Sequence, residues 1–136
     1  MAMESSIPRR LTAAWLKAMY RAGKLSPETV VRELVRRSRE DGGNPVWITP
    51  PSLELAQPYL DRLGTLDKTK APLWGIPFAI KDNIDWAGVP TTAACPAFAY
   101  TPKEHAAVVE RLIEAGAIPL GKTNLDQFAT GLVGTR

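Results

Sequence analysis

One apolar run constrains the fold of this chain more than any other feature of its sequence. Residues 73–80 are almost continuously apolar, and only Gly75 and Pro77 interrupt them. A run of this length and continuity is typical of a β-strand that is buried on both faces. The strand would end at Lys81-Asp82-Asn83 and would therefore deliver three polar side chains to its carboxyl end.

The elements that follow this strand predict an α/β fold. A long irregular stretch, residues 88–102, leads into an amphipathic helix over residues 104–115 that Gly116 ends. A short apolar strand over residues 117–120 comes next. Residues 121–136 contain several glycines and are expected to lead from this strand into a helix. Strand, loop, helix and strand in this order indicate a βαβ-type unit within a sheet.

Two short helices are predicted before this unit. The first begins near Pro8, carries an apolar stripe at every fourth residue and ends at Gly23. The second begins at Ser26-Pro27-Glu28, where the serine can cap, the proline suits the first helical position and the glutamate favours the positive end of the helix dipole. It buries valines and Leu34 and stops at Gly42-Gly43. We interpret residues 1–43 as an N-terminal helical arm and residues 44–136 as a separate unit.

The second unit opens with a short apolar strand over residues 46–48. Residues 52–63 are predicted to be helical, and Pro58 is expected to kink or restart that helix because proline lacks an N–H group. Residues 64–72 form a polar loop.

Composition and charge exclude several classes of protein. The formal net charge is +3, and nine of the 17 basic residues lie among the first 41 residues, against five acidic ones. A nucleic-acid-binding chain of 136 residues usually has a denser basic face, and Glu28, Glu33 and Glu40 interrupt the helical arginines. No segment is long and apolar enough for a signal peptide or a membrane span, so we expect a cytoplasmic protein without a membrane partner.

Lys81 is the first candidate for chemistry. A lysine at the end of a buried strand loses hydration, which lowers its pKa and allows the neutral amine to act as a general base. The ordinary alternative is a lysine that reaches solvent or pairs with Asp82 or Asp85. Spacing alone favours this alternative.

The segment Gly116-Ala-Ile-Pro-Leu-Gly121-Lys122-Thr123 satisfies the P-loop pattern literally. Its context does not fit a nucleotide site, because a helix precedes it, its middle is the predicted strand, and Pro119 lacks an N–H donor. We interpret Lys122 as a local anchor in a tight turn.

The single cysteine, Cys95, excludes an internal disulfide, and with the single histidine, His105, it is too little for a zinc site. We therefore expect no metal site; we also expect no cofactor. Cys95 could act as a nucleophile only if His105 lay beside it, and a packing role is the more ordinary interpretation.

Several motifs in order resemble the amidase signature family. They are GIPFAIKDNID (75–85), GVPTTAAC (88–95), AGAIPLGKTNLDQFATG (115–131) and GTR (134–136). Within that family, residues 91–98 and 125–136, together with the entry segment 44–48, are most similar to the allophanate hydrolase branch. The resemblance implies a mixed β-sheet covered by helices on both faces, of which this chain would supply the N-terminal part.

The resemblance also implies a chemistry. The family hydrolyses amides with a triad of serine, cis-serine and lysine, and its lysine corresponds to Lys81. Residues matching Ala129, Thr130 and Gly131 line the acyl pocket, and a small amide such as allophanate would suit their size. The family further suggests a homodimer and no cofactor. Hydrolysis of allophanate gives ammonia and carbon dioxide.

One departure from the family pattern concerns the two serines. In the family they belong to a glycine- and serine-rich segment that follows the position of Arg136, whereas the five serines of this chain all lie before residue 53. We therefore expect the 136 residues alone to be inactive. Two alternatives stay open: a hydrolase of another small amide, and a non-catalytic interaction module.

Overall fold

A computed structural model describes residues 7–40 and 45–130. In chain order, its helices and strands are α1 (Ala13–Arg21), α2 (Pro27–Glu40), β1 (Trp47–Thr49), α3 (Leu53–Leu63), β2 (Pro77–Lys81), α4 (Ala107–Glu114) and β3 (Ile118–Thr123). Short 3₁₀ turns cover Pro96–Phe98 and Gln127–Ala129. No helix within the described ranges combines the length and the apolar character needed to cross a lipid bilayer.

The three strands form one mixed sheet with the order β1-β3-β2. Strand β1 is antiparallel to β3, and β2 is parallel to β3. The chain passes from β2 through α4 to β3, so the predicted βαβ unit and the α/β class are confirmed. Strand β3 is central and runs to Thr123, three residues farther than the predicted strand, and therefore includes Gly121 and Lys122.

The apolar run that predicted β2 is only partly a strand. Residues 73–76 form a turn in which the Ile76 N–H donates to the Leu73 carbonyl at 2.9 Å, and Gly75 has a φ of +76°. Of residues 77–81, only Ile80 is buried. The prediction of a strand buried on both faces is therefore wrong, because β2 lies at the edge of the described sheet and one of its faces is open.

Side-chain caps determine where the first two helices begin. Helix α2 begins at Pro27 as predicted, and the Ser26 hydroxyl accepts the Thr29 N–H at 3.3 Å. Helix α1 begins at Ala13 rather than near Pro8, because the Thr12 hydroxyl accepts the Trp15 N–H at 3.0 Å and so caps the helix there. The predicted stop of α2 at Gly42-Gly43 lies outside the described residues.

Helix α3 is continuous from Leu53 to Leu63, so the predicted restart at Pro58 does not occur. Pro58 lacks the N–H group that would donate to the Glu54 carbonyl. Both residues are exposed, so water can donate to that carbonyl instead. The Ser52 hydroxyl accepts the Leu55 N–H at 3.4 Å and caps the helix.

The helices bury apolar residues in connected clusters around the sheet. Val31 and Val35 of α2 pack with Ala56 and Leu63 of α3 and with β3. On the other side of the sheet, Ile80, Trp86, Val89, Val109 and Ile113 form a second cluster between β2 and α4. This packing holds the carboxyl ends of β2 and β3 side by side.

Candidate active site at the carboxyl ends of two parallel strands

The register between β2 and β3 decides which polar side chains are buried. Ile80 lies opposite Lys122, and Lys81 lies opposite Thr123. Facing residues of neighbouring strands point to the same side of a sheet, and successive residues alternate. Lys122 therefore shares the buried face of Ile80, whereas Lys81 lies on the open face and is exposed. The predicted loss of hydration at Lys81 is wrong for the described chain.

Lys122 and Asp82 form a buried ion pair. The Lys122 Nζ lies 3.1 Å from Asp82 Oδ1, and both side chains are 0% exposed. Lys122 Nζ also donates to the Thr91 hydroxyl at 3.2 Å and to the Pro90 carbonyl at 3.4 Å. A charge without a partner would be very costly in this position, so the two groups are mutually required.

A hydrogen-bonded series leads from this pair toward the surface. The Thr91 hydroxyl, which accepts from Lys122, donates to Asp85 Oδ1 at 2.9 Å. The Tyr100 hydroxyl donates to the same oxygen at 2.7 Å. This bond to Asp85 raises the pKa of Tyr100, because it is lost when the phenol ionises.

The loop after Pro90 wraps around the carboxylate of Asp82. Oδ2 of Asp82 accepts the Thr92 N–H at 3.1 Å and also accepts the Thr92 hydroxyl. The next two residues, Ala93 and Ala94, have φ values of +51° and +62°. Non-glycine residues adopt this conformation at a cost, so the surrounding contacts must impose it.

The segment predicted to bind substrate lies directly beside that loop. The Phe128 N–H donates to the Ala93 carbonyl at 3.0 Å, and Gln127 Nε2 donates to the Ala94 carbonyl at 3.4 Å. Phe128 and Ala129 also have positive φ values, +56° and +57°. Ala129 and Thr130 are exposed, and Gly131 lies outside the described residues.

An aromatic cluster covers part of the same surface. The centroid of the Phe98 ring lies 5.3 Å from the centroid of the Phe128 ring and 5.6 Å from that of the Tyr100 ring. Both pairs have edge-to-face geometry. The three rings stay 44% to 48% exposed. Adjacent exposed aromatic side chains are typical of a surface that another part of a protein or a ligand covers.

The remaining candidates from the sequence are the P-loop-like segment 116–123, His105 and Cys95. Gly121 and Lys122 lie within β3, so residues 116–123 form no phosphate-binding loop, and Lys122 is an ion-paired strand residue rather than an anchor in a turn. His105 Nδ1 accepts the Ala87 N–H at 3.1 Å. Among the hydrogen bonds of residues 7–40 and 45–130, none joins His105 to Cys95, which is partly buried.

The arginines of α2 are mostly engaged with acidic residues of the same helix. Arg36 pairs with Glu33 and Glu40, and Arg32 pairs with Glu28. Arg37 pairs with Glu33 and also donates to the Ile7 carbonyl at 2.8 Å. Arg32 and Arg36 therefore lie on a solvent-exposed face of α2, where acidic residues of the same helix pair with them. Glu33 is buried, which the sequence analysis did not predict.

Sequence reasoning missed the Asp82–Lys122 pair. The sequence predicts a strand that ends at Leu120 and therefore places Lys122 in a turn. No local signal could have found the pair, because the register between β2 and β3 shifts between Phe78 and Ile80, and plain period-two alternation would not have paired Lys122 with Ile80.

Residues 29–136 match a family model that is described as "Amidase". Among relatives, the urea amidolyase of Lachancea kluyveri is 48% identical over 118 residues, which are 84% of this chain and 6% of that protein. The urea amidolyase of Saccharomyces cerevisiae is 67% identical over 70 residues, which are 52% of this chain and 4% of that protein. The chain thus spans a small part of the relatives it matches.

Solved structures agree with the family model. Allophanate hydrolase from Kluyveromyces lactis has a TM-score of 0.80 and 41% identity, over 93% of this chain and 21% of that one. The peptide amidase of Stenotrophomonas maltophilia has a TM-score of 0.74 and 33% identity, over 90% of this chain and 26% of that one. The matched range and the shared fold lead to one conclusion. The chain belongs to the amidase family.

Proposed function

We propose that this chain is the lysine-bearing part of an amidase that hydrolyses allophanate to ammonia and carbon dioxide. The similarity to allophanate hydrolase and urea amidolyases supports the choice of substrate. The observation that carries the proposal is the position of Lys81. It lies at the carboxyl end of β2, and two backbone hydrogen bonds link its neighbour Asp82 through Ala93 to Phe128. Ligands of open α/β sheets bind at such strand ends.

In the proposed mechanism, neutral Lys81 takes a proton from a bridging serine, which takes one from a nucleophilic serine. The nucleophile attacks the amide carbonyl carbon, and the amide nitrogen leaves as ammonia after the same relay protonates it. Water then cleaves the acyl-enzyme ester and regenerates the serine, and the released N-carboxycarbamate breaks down to a second ammonia and two molecules of carbon dioxide. Backbone N–H groups would stabilise the oxyanion. The two serines would come from a segment outside residues 53–136, which contain no serine.

The exposure of Lys81 adds a physical requirement. A hydrated lysine side chain carries a positive charge at neutral pH, and a charged amine cannot accept a proton. The proposed mechanism therefore needs the serine-bearing part of the enzyme to cover Lys81 and remove its hydration. The exposed cluster of Phe98, Tyr100 and Phe128 would be covered by the same contact.

The proposed acyl pocket involves Ala129 and Thr130, with Gly131 beyond the described residues. The side chains of Ala129 and Thr130 are small and exposed beside the loop that follows Pro90. A pocket built from such residues suits a small amide better than a long acyl chain. Ala129, Thr130 and Gly131 match the residues that line the acyl pocket in the family that the sequence resembles, and we propose the same role for them here.

A chimera tests the proposal. These 136 residues would replace the matching part of Kluyveromyces lactis allophanate hydrolase, and ammonia release from allophanate would be measured. We expect activity in the chimera and at least a thousandfold loss in its Lys81→Ala variant, since the relay loses its base. Lys103→Ala, at another exposed lysine, is the matched control and should retain activity. A fully active Lys81→Ala chimera would refute the assignment, and we expect no hydrolysis by the 136 residues alone.

A second candidate is hydrolysis of another small amide. The similarity to a peptide amidase at 33% identity favours this alternative over a non-hydrolytic one. Comparing kcat/KM of the chimera for allophanate and for C-terminal peptide amides distinguishes the two, because the preferred substrate should differ by an order of magnitude or more. The homodimer implied by the family would be checked on the same chimera by light scattering.

A further inference from the structure

Asp82, at the carboxyl end of β2, is held by contacts at four of its groups. Its N–H donates to the Thr123 carbonyl at 3.0 Å, and its own carbonyl accepts the Ala93 N–H at 3.0 Å. Its carboxylate lies against Lys122 on one oxygen and against Thr92 on the other. The peptide that joins Lys81 to Asp82 is therefore fixed relative to both β3 and the loop.

Lys122 secures the loop from the opposite side. Its Nζ donates to the Pro90 carbonyl and the Thr91 hydroxyl in addition to pairing with Asp82. The pair thus touches three successive residues of the loop, Pro90 to Thr92. Thr92 uses its hydroxyl twice, since it donates to Asp82 Oδ2 and accepts the Ala94 N–H at 3.1 Å. These contacts support the left-handed conformation of Ala93 and Ala94.

The loop in turn carries the segment that contains Ala129 and Thr130. The Ala93 and Ala94 carbonyls accept hydrogen bonds from Phe128 and Gln127. The left-handed conformation determines where these two carbonyls point. A continuous series of contacts therefore runs from Lys81 through Asp82 and the loop to the segment 127–130.

We propose that the buried Asp82–Lys122 pair is a positioning device that sets Lys81 relative to the substrate-binding segment 127–130. The inference rests on the proposed function, because it takes Lys81 as the base and residues 129–130 as part of the acyl pocket. Both side chains of the pair are fully buried, so we assign them no direct contact with the substrate or the serines. It acts through the backbone of residues 81–82 and through the loop of residues 90–94.

A matched pair of variants at Thr92 tests this device in the chimera described above. Thr92→Val keeps the shape of the side chain but removes the hydroxyl that bonds Asp82 and Ala94, whereas Thr92→Ser keeps it. We expect Thr92→Val to lower kcat for allophanate by tenfold or more per folded molecule, with KM within threefold, since small misplacements of reacting groups lower the rate of the chemical step. Thr92→Ser should restore kcat to within threefold.

Lys122→Met is the stronger variant, with Lys103→Met as its control, and the Thr92 variants remain decisive if it does not fold. Equal kcat values per folded molecule for Thr92→Val and the parent chimera would overturn the proposal. So would equal losses in Thr92→Val and Thr92→Ser. Lys81→Ala separates the two hypotheses: if it is inactive while Thr92→Val is fully active, the positioning role fails and the proposed function stands.

Discussion

The Lys122 Nζ lies 3.1 Å from Asp82 Oδ1 at a position where neither side chain exposes any surface. Moving a charged side chain out of water costs roughly several kcal/mol, even after the protein relaxes around it, and the pair incurs this cost twice. The cost is offset here by polar partners of the loop, namely the Pro90 carbonyl, the Thr91 hydroxyl and two donors of Thr92. The pair thus makes the loop and the strand ends depend on each other.

We predict that Lys122→Met destabilises the chain by about 3–5 kcal/mol, because it leaves Asp82 charged, buried and without its cation. The free energy of unfolding would be measured by urea denaturation at pH 7. Lys103→Met, at an exposed lysine, should change it by no more than about 0.5 kcal/mol. Equal stabilities for Lys122→Met and the parent chain would contradict the mutual requirement of the two charges.

Gly121 should not tolerate a side chain. A Cβ at this position would lie 2.5 Å from the Thr49 carbonyl oxygen and 3.0 Å from the Pro51 nitrogen, and backbone atoms cannot rotate away. We predict that Gly121→Ala separates β1 from β3 and lowers the thermal unfolding temperature by several degrees, for a cost of about 1–3 kcal/mol.

Gly64→Ala is the matched control for Gly121→Ala. Its added Cβ would meet only the Asp61 carbonyl at 3.7 Å, and the φ of −63° suits alanine. The control should therefore be neutral or slightly stabilising. If both alanine variants melt together with the parent chain, the described pairing of β1 with β3 is wrong.

Glu33 should contribute stability that depends on pH. Its hydrogen bond from Arg36 is the main cause that holds the pKa of this carboxyl below its ordinary value of 4.5, and Arg37 adds to the effect although burial opposes it. The contribution is fully present above pH 4.5 and is lost as the pH falls through the lower pKa of the folded state.

We therefore expect Glu33→Gln to destabilise the chain at pH 7 and to do so less at pH 3, as measured by urea denaturation at both values. Glu28→Gln, whose pair with Arg32 is about half exposed, should show a much smaller difference at pH 7. A Glu33→Gln penalty that is the same at both pH values would exclude the charge as its cause.

The left-handed conformation at Ala94, with a φ of +62°, should distinguish glycine from valine. Ala94→Gly relieves strain in the folded state but adds freedom to the unfolded state, so we expect a net change below about 1 kcal/mol. Ala94→Val should cost about 1–3 kcal/mol, since β-branched residues tolerate this region poorly. Thermal unfolding of the two variants beside the parent chain measures the contrast.

Much of the fold was predictable from local patterns. The cap at Ser26, the proline at the first position of α2 and the stop at Gly116 are local events, and each was placed correctly. Errors arose where a local signal competed with a nonlocal one. The apolar residues 73–76 have the composition of a strand, but they form a turn whose residues bond to Ala115 and Gly116 from a distant part of the chain.

For the site, the sequence by itself determined that a lysine and an aspartate stand at the carboxyl end of β2, but it placed the second lysine, Lys122, in a turn after the third strand. It also indicated the family, through several motifs that follow one another in the order expected for that family. Only the tertiary structure decided which lysine is buried. The choice depends on the register of two parallel strands whose paired residues here are 42 positions apart in the sequence. This register places Lys122 beside Ile80 on the covered face and Lys81 beside Thr123 on the open one. Burial is a property of the assembled sheet, and no short stretch of sequence contains it.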